Sequence, residues 1–314
     1  MTQYIPLIGS ITDAEAKCWS DQLNHLMPEQ AVVPLKQLTT QQRERCDVAI
    51  VANPSIEEIE QCPNLKWVQS LWAGVERLVT ELNKSDFKIV RLIDPTLADT
   101  MAEAVLAWSL FLHRDMPYYR RQQDRKKWSP KPYTPVSERT IGLLGMGALG
   151  RASGERLLNN GFKVLGWSRT AKKVSGITTY HDEQGLVSLL SQSDIVVCLL
   201  PLTTQTYHLL GAELFSKFKQ GASLINFARG AIIDQGALLK ALTTRQLDHA
   251  VLDVFEQEPL DALNPIWSLP NVTILPHISA PTRPDTASHI VATNILNYRQ
   301  TGVIPAAVDV KKGY

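Results

Sequence analysis

The feature that most constrains this chain is the run TIGLLGMGALGRASGERLLNNGFKVLGWSRT at residues 140–170. Residues 141–144 are a short aliphatic stretch of the kind that makes a strand buried on both faces of a parallel sheet. Gly145-Met146-Gly147-Ala148-Leu149-Gly150 follows at once. In such a turn the first glycine permits the tight bend, the second lets the backbone approach a pyrophosphate, and the third lets the next helix pack close to the sheet. The spacing predicts a helix over 148–159 with its N-terminal amides aimed at phosphates, a stop at Asn160-Gly161, and a second strand over 162–167. Glycines alone are weak evidence. Strand, glycines, helix and strand in this order mark a dinucleotide site at Gly145, Gly147, Ala148, Leu149 and Gly150.

The end of the second strand decides which dinucleotide. NAD-binding units usually place Asp or Glu there to accept from the ribose 2′-hydroxyl. This chain has Ser168-Arg169-Thr170, with Lys172 and Lys173 following. No carboxylate stands there to repel a 2′-phosphate, Arg169 can clamp it bidentately, and the hydroxyls of Ser168 and Thr170 can add hydrogen bonds. The expected cofactor is NADP(H).

Composition narrows the remaining classes. With 32 basic and 31 acidic residues among 314, the net charge is +1, so no global field favours nucleic acid or a membrane surface. Residues 1–10 lack the basic start of a secretory signal and contain Pro6, and the longest apolar runs are too short to span a bilayer. A cytoplasmic location is expected. Cys18, Cys46, Cys62 and Cys198 form no C-x-x-C pair and no metal-ligand spacing, so they are expected to be reduced thiols, at least three of them packed, with no metal site.

The first ninety or so residues predict a smaller α/β unit. Strands are expected over 4–8, 31–33, 48–51, 65–71 and 88–92, with Thr12 capping a helix that runs to about 27. Asp94-Pro95 breaks the pattern before a helix over 99–114. Residues 114–135 mix Arg120, Arg121, Arg125, Lys126 and Lys127 with Tyr118, Tyr119, Trp128 and Tyr133, which fits a subunit contact or an arm beside the cofactor domain better than a nucleic-acid surface in a chain of near-zero net charge. Beyond Thr170, strands are expected over 194–200, 222–227, 250–254 and 272–275, interleaved with helices over 183–191, 212–218 and 234–243. A last helix over 284–299 returns the chain to the first domain. The expected division is a substrate domain of 1–98 with 286–314, flavodoxin-like and discontinuous, and a Rossmann-type doubly wound dinucleotide-binding domain of 99–285. Leu200-Pro201, Ala228-Arg229, Asp253 with Glu258, and Pro276-His277 all fall at or just beyond carboxyl ends of strands, the edge that also carries the glycine turn.

At this point a resemblance emerges. The glycine turn, L-I-N-F-A-R-G-A at 224–231, L-D-V-F-E-Q-E-P-L at 252–260 and L-P-H at 275–277 together resemble the D-2-hydroxyacid dehydrogenases over nearly the whole chain. W-A-G-V-E at 72–76, S-R-T at 168–170, T-R-P at 282–284 and the Lys-Gly-Tyr terminus are most similar to the bacterial glyoxylate/hydroxypyruvate reductase branch. Matched residue by residue, the resemblance implies a catalytic arginine at Arg229, its carboxylate at Glu258 and its histidine at His277. It places Asp253 near the nicotinamide carboxamide and the amides of Ala73-Gly74-Val75 on the substrate carboxylate. It implies a homodimer, a site between two domains that closes to exclude water, and small 2-keto or 2-hydroxy acids as substrates. The chain departs from the pattern at Trp72, where relatives often have glycine. Trp72 is either a packed aromatic or a wall of the pocket.

Chemistry supports the three assignments independently. Reducing a 2-keto acid takes a hydride at the carbonyl carbon, a proton for its oxygen, and a cation for the carboxylate and polarised carbonyl. Arg229 offers a planar fork for the last, His277 the proton, and Glu258 a partner for the other ring nitrogen that keeps His277 charged. The other six histidines lack such placement. A non-catalytic dinucleotide sensor would have little use for this trio, whereas a dehydrogenase of bulkier 2-keto acids stays open. Glu258 argues against the formate type, which resembles this pattern with glutamine there.

Overall fold

The structure is a computed structural model that describes residues 3–81 and 87–309. The Lys-Gly-Tyr terminus lies outside the described residues. Contacts divide the chain into two units, Met1–Thr96 with Thr282–Tyr314, and Leu97–Pro281.

The first unit contains β1 (Gln3–Gly9), α1 (Asp13–Leu26), β2 (Gln30–Pro34), α2 (Thr40–Arg43), β3 (Val48–Ala52), α3 (Ile56–Glu60), β4 (Trp67–Ser70), α4 (Glu76–Glu81) and β5 (Lys88–Val90). All pairings are parallel and the strand order is β2-β1-β3-β4-β5, the flavodoxin-like order. Side chains alternate across a strand, so Val48 and Ile50 face one layer while Ala49 and Val51 face the other, and β3 is buried throughout. On one face Ile5, Leu7 and Trp67 pack against Trp19 and Leu23 of α1, and against Val291, Ile295 and Tyr298 of the C-terminal helix Pro284–Thr301. Each fully buried aliphatic side chain of this kind contributes about 1.5–3 kcal/mol. Tyr298 and Arg299 both donate to Asp47, at 3.0 and 2.7 Å, which fixes that helix over the sheet.

The second unit is built from α5 (Pro95–His113), α6 (Met116–Asp124), β6 (Thr140–Leu144), α7 (Ala148–Asn159), β7 (Lys163–Trp167), β8 (Thr178–Tyr180), α8 (Asp182–Gln192), β9 (Ile195–Cys198), α9 (Ala212–Phe215), β10 (Ala222–Asn226), α10 (Gln235–Thr243), β11 (Leu247–Leu252) and β12 (Val272–Ile274); α11 is Pro284–Thr301 of the first unit. The parallel order β12-β11-β10-β9-β6-β7-β8 reverses direction at β6, which gives the Rossmann-type doubly wound sheet. Met101, Val105, Leu112 and Leu157 cover one face, and Leu186, Leu189, Leu238 and Leu242 cover the other.

Helix α7 spans the residues the glycine spacing predicts. Helix α5 begins at Pro95, four residues before the expected start at 99, because Asp94 is buried and its carboxylate accepts the Thr96 amide at 2.8 Å. Proline suits a first helical position, where its missing N–H is no loss. Strand β8 was not anticipated. Among the described residues no helix is long and apolar enough to cross a membrane and no group of His, Cys, Asp and Glu could hold a metal. Cys46, Cys62 and Cys198 are buried free thiols and Cys18 is an exposed one.

Candidate active site

The glycine turn links β6 to α7. Gly145 has φ +107, and a Cβ there would lie 2.7 Å from the Leu199 carbonyl oxygen. A Cβ on Gly150 would lie 1.8 Å from the Gly145 carbonyl oxygen, so α7 meets the turn backbone to backbone. Gly147 is different: a Cβ there would meet no described atom within 4 Å. Gly147 is also the N-cap of α7, and no side chain among the described residues caps that helix. Among the described residues the first-turn amides thus have no side-chain cap and the space beside Gly147 is open, which fits a phosphate-bearing ligand.

Behind this turn lies the basic loop after β7. Ser168 is buried; its Oγ donates to the Thr170 carbonyl at 2.9 Å, and its amide donates to Tyr180 at 3.2 Å, so it shapes the loop from within. Arg169 is exposed and donates through Nη1 to Gln205 Oε1 at 2.9 Å. Thr170 is exposed beside it. Lys172 Nζ donates to the Met146 carbonyl at 3.0 Å, tying the loop to the glycine turn. Burial, then the charge of Arg151, holds the Lys172 ammonium below the usual lysine range. No Asp or Glu stands at the end of β7.

Four further strand ends supply the remaining candidates. After β9, Leu200 is buried and the Pro201 carbonyl accepts from Thr206 Oγ1 at 2.7 Å. After β10, Asn226 is fully buried and holds the next turn with both ends of its amide: Oδ1 accepts the Ala228 amide at 3.2 Å and Nδ2 donates to the Arg229 carbonyl at 3.1 Å. Arg229 is half-buried, and its Nη1 donates to the Ala228 carbonyl at 2.7 Å. Sequence reasoning missed Asn226, although it stands within the L-I-N-F-A-R-G-A run.

After β11 and β12 the chain builds an imidazole–carboxylate pair. His277 Nδ1 bonds Glu258 Oε2 at 2.8 Å, and Glu258 Oε1 accepts the Phe255 amide at 2.8 Å. With Nδ1 donating to the carboxylate, Nε2 is the ring nitrogen that can meet a ligand. The hydrogen bond to Glu258 raises the His277 pKa above the ordinary histidine value; burial and the charge of Arg229 work against it, while the charges of Glu258 and Asp253 reinforce it. Burial alone would push Glu258 up, but the bonds from His277 and the Phe255 amide and the charges of His277 and Arg229 hold it below the usual carboxylate range. His277 has φ +55, a left-handed conformation held by its neighbours. Its amide donates to the Asp253 carbonyl at 2.9 Å, and the buried Asp253 carboxylate accepts the amides of Ile278 and Ser279 at 2.7 and 2.9 Å. Asp253 thus fixes the histidine turn.

In the first unit, Trp72 follows β4. Its amide donates to Ser70 Oγ at 3.0 Å, its ring packs on the core beneath α11, and its Nε1 is buried without a hydrogen-bond partner among the described residues. Ala73 and Gly74 are half-buried, and the buried Val75 accepts the Val79 amide at 2.9 Å as α4 begins.

Residues 106–279 match the family model for the D-isomer specific 2-hydroxyacid dehydrogenase NAD binding domain. A glyoxylate/hydroxypyruvate reductase A from Yersinia enterocolitica is 36% identical over 96% of this chain and 97% of its own length. A D-isomer specific 2-hydroxyacid dehydrogenase from Xanthobacter autotrophicus, solved with NADPH and MES, superposes with a TM-score of 0.92 at 33% identity over 100% of both chains. An NADPH-dependent glyoxylate/hydroxypyruvate reductase from Sinorhizobium meliloti, solved with NADP and sulfate, gives 0.91 at 30% identity, again over 100% of both. The chain belongs to the D-isomer specific 2-hydroxyacid dehydrogenase family of oxidoreductases, with its nicotinamide-dinucleotide-binding domain at residues 106–279.

Proposed function

We propose that this protein uses NADPH to reduce small 2-keto acids, glyoxylate to glycolate and hydroxypyruvate to D-glycerate. The observation that carries the reading is the 2.8 Å bond between His277 Nδ1 and Glu258 Oε2, within the field of Arg229, on the strand edge that bears the glycine turn. Arg229 binds the substrate carboxylate and polarises the carbonyl. The cofactor, when bound, supplies the hydride to the carbonyl carbon. His277 gives its Nε2 proton to the carbonyl oxygen, and Glu258 holds the ring in place and favours its cationic form until solvent restores the proton. The uncapped amides of Gly147, Ala148 and Leu149 hold the pyrophosphate, with Gly145 and Gly150 shaping the turn. Leu200, Pro201, Ala228 and Asp253 complete the cofactor contacts. Arg169, with the exposed Thr170 beside it and the buried Ser168 shaping the loop beneath, selects the 2′-phosphate, a reading supported by the lack of a carboxylate after β7 and by the NADPH that the Xanthobacter neighbour holds.

Backbone amides of Ala73, Gly74 and Val75 are the proposed first-unit contribution to the substrate carboxylate, and the packing of Trp72 favours a structural role for its ring. The proposal includes a homodimer joined through the arm after α6, where Trp128 is 100% and Tyr133 67% exposed. It also includes a cytoplasmic location, which four free cysteines fit.

The test is NADPH consumption by the purified protein with glyoxylate, hydroxypyruvate, pyruvate and larger 2-keto acids. Glyoxylate and hydroxypyruvate should give the highest kcat/KM. Arg229→Ala and His277→Ala should each lower it by about 100-fold or more. An undiminished rate in either variant removes that residue's role, and a bulkier preferred acid replaces the substrate assignment.

A further inference from the structure

The segment that carries Glu258 is held from outside by residues the reaction does not use. Glu256 is two residues before Glu258, and its carboxylate is engaged at both oxygens: Tyr207 donates to Oε1 at 3.1 Å and His208 Nε2 lies 3.3 Å from Oε2. The rings of Tyr207 and His208 stack, with centroids 4.0 Å apart and planes 17° from parallel. These two residues are themselves fixed. The Tyr207 amide donates to Thr203 at 2.9 Å, and the His208 amide donates to Ala231 at 2.8 Å, just past Arg229 and Gly230. Gly230 closes the ring of contacts: a Cβ there would lie 1.9 Å from the carbonyl carbon of Phe255 and 2.2 Å from the amide nitrogen of Glu256.

Three strand-end segments are therefore braced against one another. The segment after β9 supplies Tyr207 and His208, the segment after β10 supplies Arg229, Gly230 and Ala231, and the segment after β11 supplies Phe255, Glu256 and Glu258. Phe255 also donates its amide to Glu258 Oε1, so the position of the Phe255 backbone is transmitted directly to the carboxylate that grips His277.

We propose that Glu256, clamped by Tyr207 and His208, is a positioning residue: it fixes the 255–258 segment against Gly230 and so sets the aim of Glu258 at His277. The groups that bear on His277 are Glu258, Arg229 and Asp253, and those that bear on the clamp are Glu256 with Tyr207, His208 and Asp234. Loosening the clamp weakens the Glu258 bond, which is the largest influence raising the His277 pKa. The proposal rests on His277 as proton donor only for its kinetic consequence. Its structural claim is separable.

The experiment reads both. Imidazole NMR titration of the unliganded full chain, with the His277 signal assigned from its loss in His277→Gln, gives the His277 pKa in wild type, Glu256→Ala, Glu256→Gln and Tyr207→Phe. Glu256→Ala should lower that pKa by about half a unit or more. Tyr207→Phe should lower it by less, and the double variant should fall short of the sum of the two, since both break one clamp. Glu256→Gln, which keeps an acceptor for Tyr207, should stay near wild type. With glyoxylate, kcat should fall several-fold in Glu256→Ala while the KM for NADPH stays within about twofold. A His277 pKa unmoved in Glu256→Ala overturns the proposal, as does Glu256→Gln behaving like Glu256→Ala, which would make the effect one of charge. A pKa that falls in a protein that reduces no keto acid upholds the clamp and defeats the proposed reaction alone.

Discussion

The two parallel sheets begin alike and diverge at their first turn. β1 ends at Gly9 with φ +137, where a Cβ would lie 2.0 Å from the Ala52 carbonyl oxygen; β6 ends beside Gly145 with φ +107, where a Cβ would lie 2.7 Å from that of Leu199. A helix follows each. In α1 the first turn is closed on itself: Thr12 Oγ1 accepts the Glu15 amide at 3.2 Å, and Glu15 Oε2 accepts the Thr12 amide at 2.8 Å. Its positive end already has an anion in Glu15. In α7 the N-cap is Gly147, the first turn holds no acidic residue, and no described side chain caps the amides. One layout thus gives a sealed helix in the first unit and, among the described residues, a helix without a side-chain cap in the second, as the proposed phosphate site requires. Cap chemistry, more than the local strand-turn-helix layout, distinguishes the two first turns.

The comparison can be broken by giving α7 the cap that α1 has. Gly147 has φ −78, which any residue adopts, and open space at its Cβ. Gly147→Asp should lower NADPH affinity by about 100-fold, through a capped helix and a carboxylate facing phosphates, while thermal stability holds or rises by up to about 1 kcal/mol. Fluorescence titration and a thermal melt read the two together. Arg169→Ala sharpens the comparison from the ribose side: kcat/KM with NADPH should fall about tenfold, with the NADH value unchanged. Thr12→Ala tests the sealed turn. Urea unfolding should show a loss of about 1 kcal/mol, with kcat/KM unaltered, and an altered kcat/KM would show that the first turn has more than a supporting role.

Much of this was legible in the sequence because it is local. Gly145 to Gly150 followed by a helical pattern predicts Ala148–Asn159 without error, and Thr12 marks the start of α1. What was not legible depends on partners distant along the chain. The start of α5 at Pro95 turns on a buried Asp94 that also accepts from Thr286 Oγ1 at 2.8 Å. Strand β8, Thr178–Tyr180, is three residues at a sheet edge with no apolar run to announce it. The same holds at the candidate site. Arg229, Glu258 and His277 stand out through their motifs, whereas His208 has no strand-end placement to mark it. Nothing in the sequence ties it to Glu256, which is 48 positions away. Lys172 was named as one cation among several, and only the fold shows its ammonium on the Met146 carbonyl.

The central claim is that Glu258 keeps His277 charged as the proton donor, and the pH dependence of keto-acid reduction tests it most directly. A donor with a raised pKa is active on the acid side, and its rate is lost as pH rises through that pKa. Measured as kcat/KM for glyoxylate from pH 5 to 10 at saturating NADPH, wild type should show one falling limb above the ordinary histidine range. Glu258→Gln, in which burial and Arg229 act on His277 without the carboxylate, should move that limb to lower pH by about one unit or more. A limb that stays in place in Glu258→Gln contradicts the account.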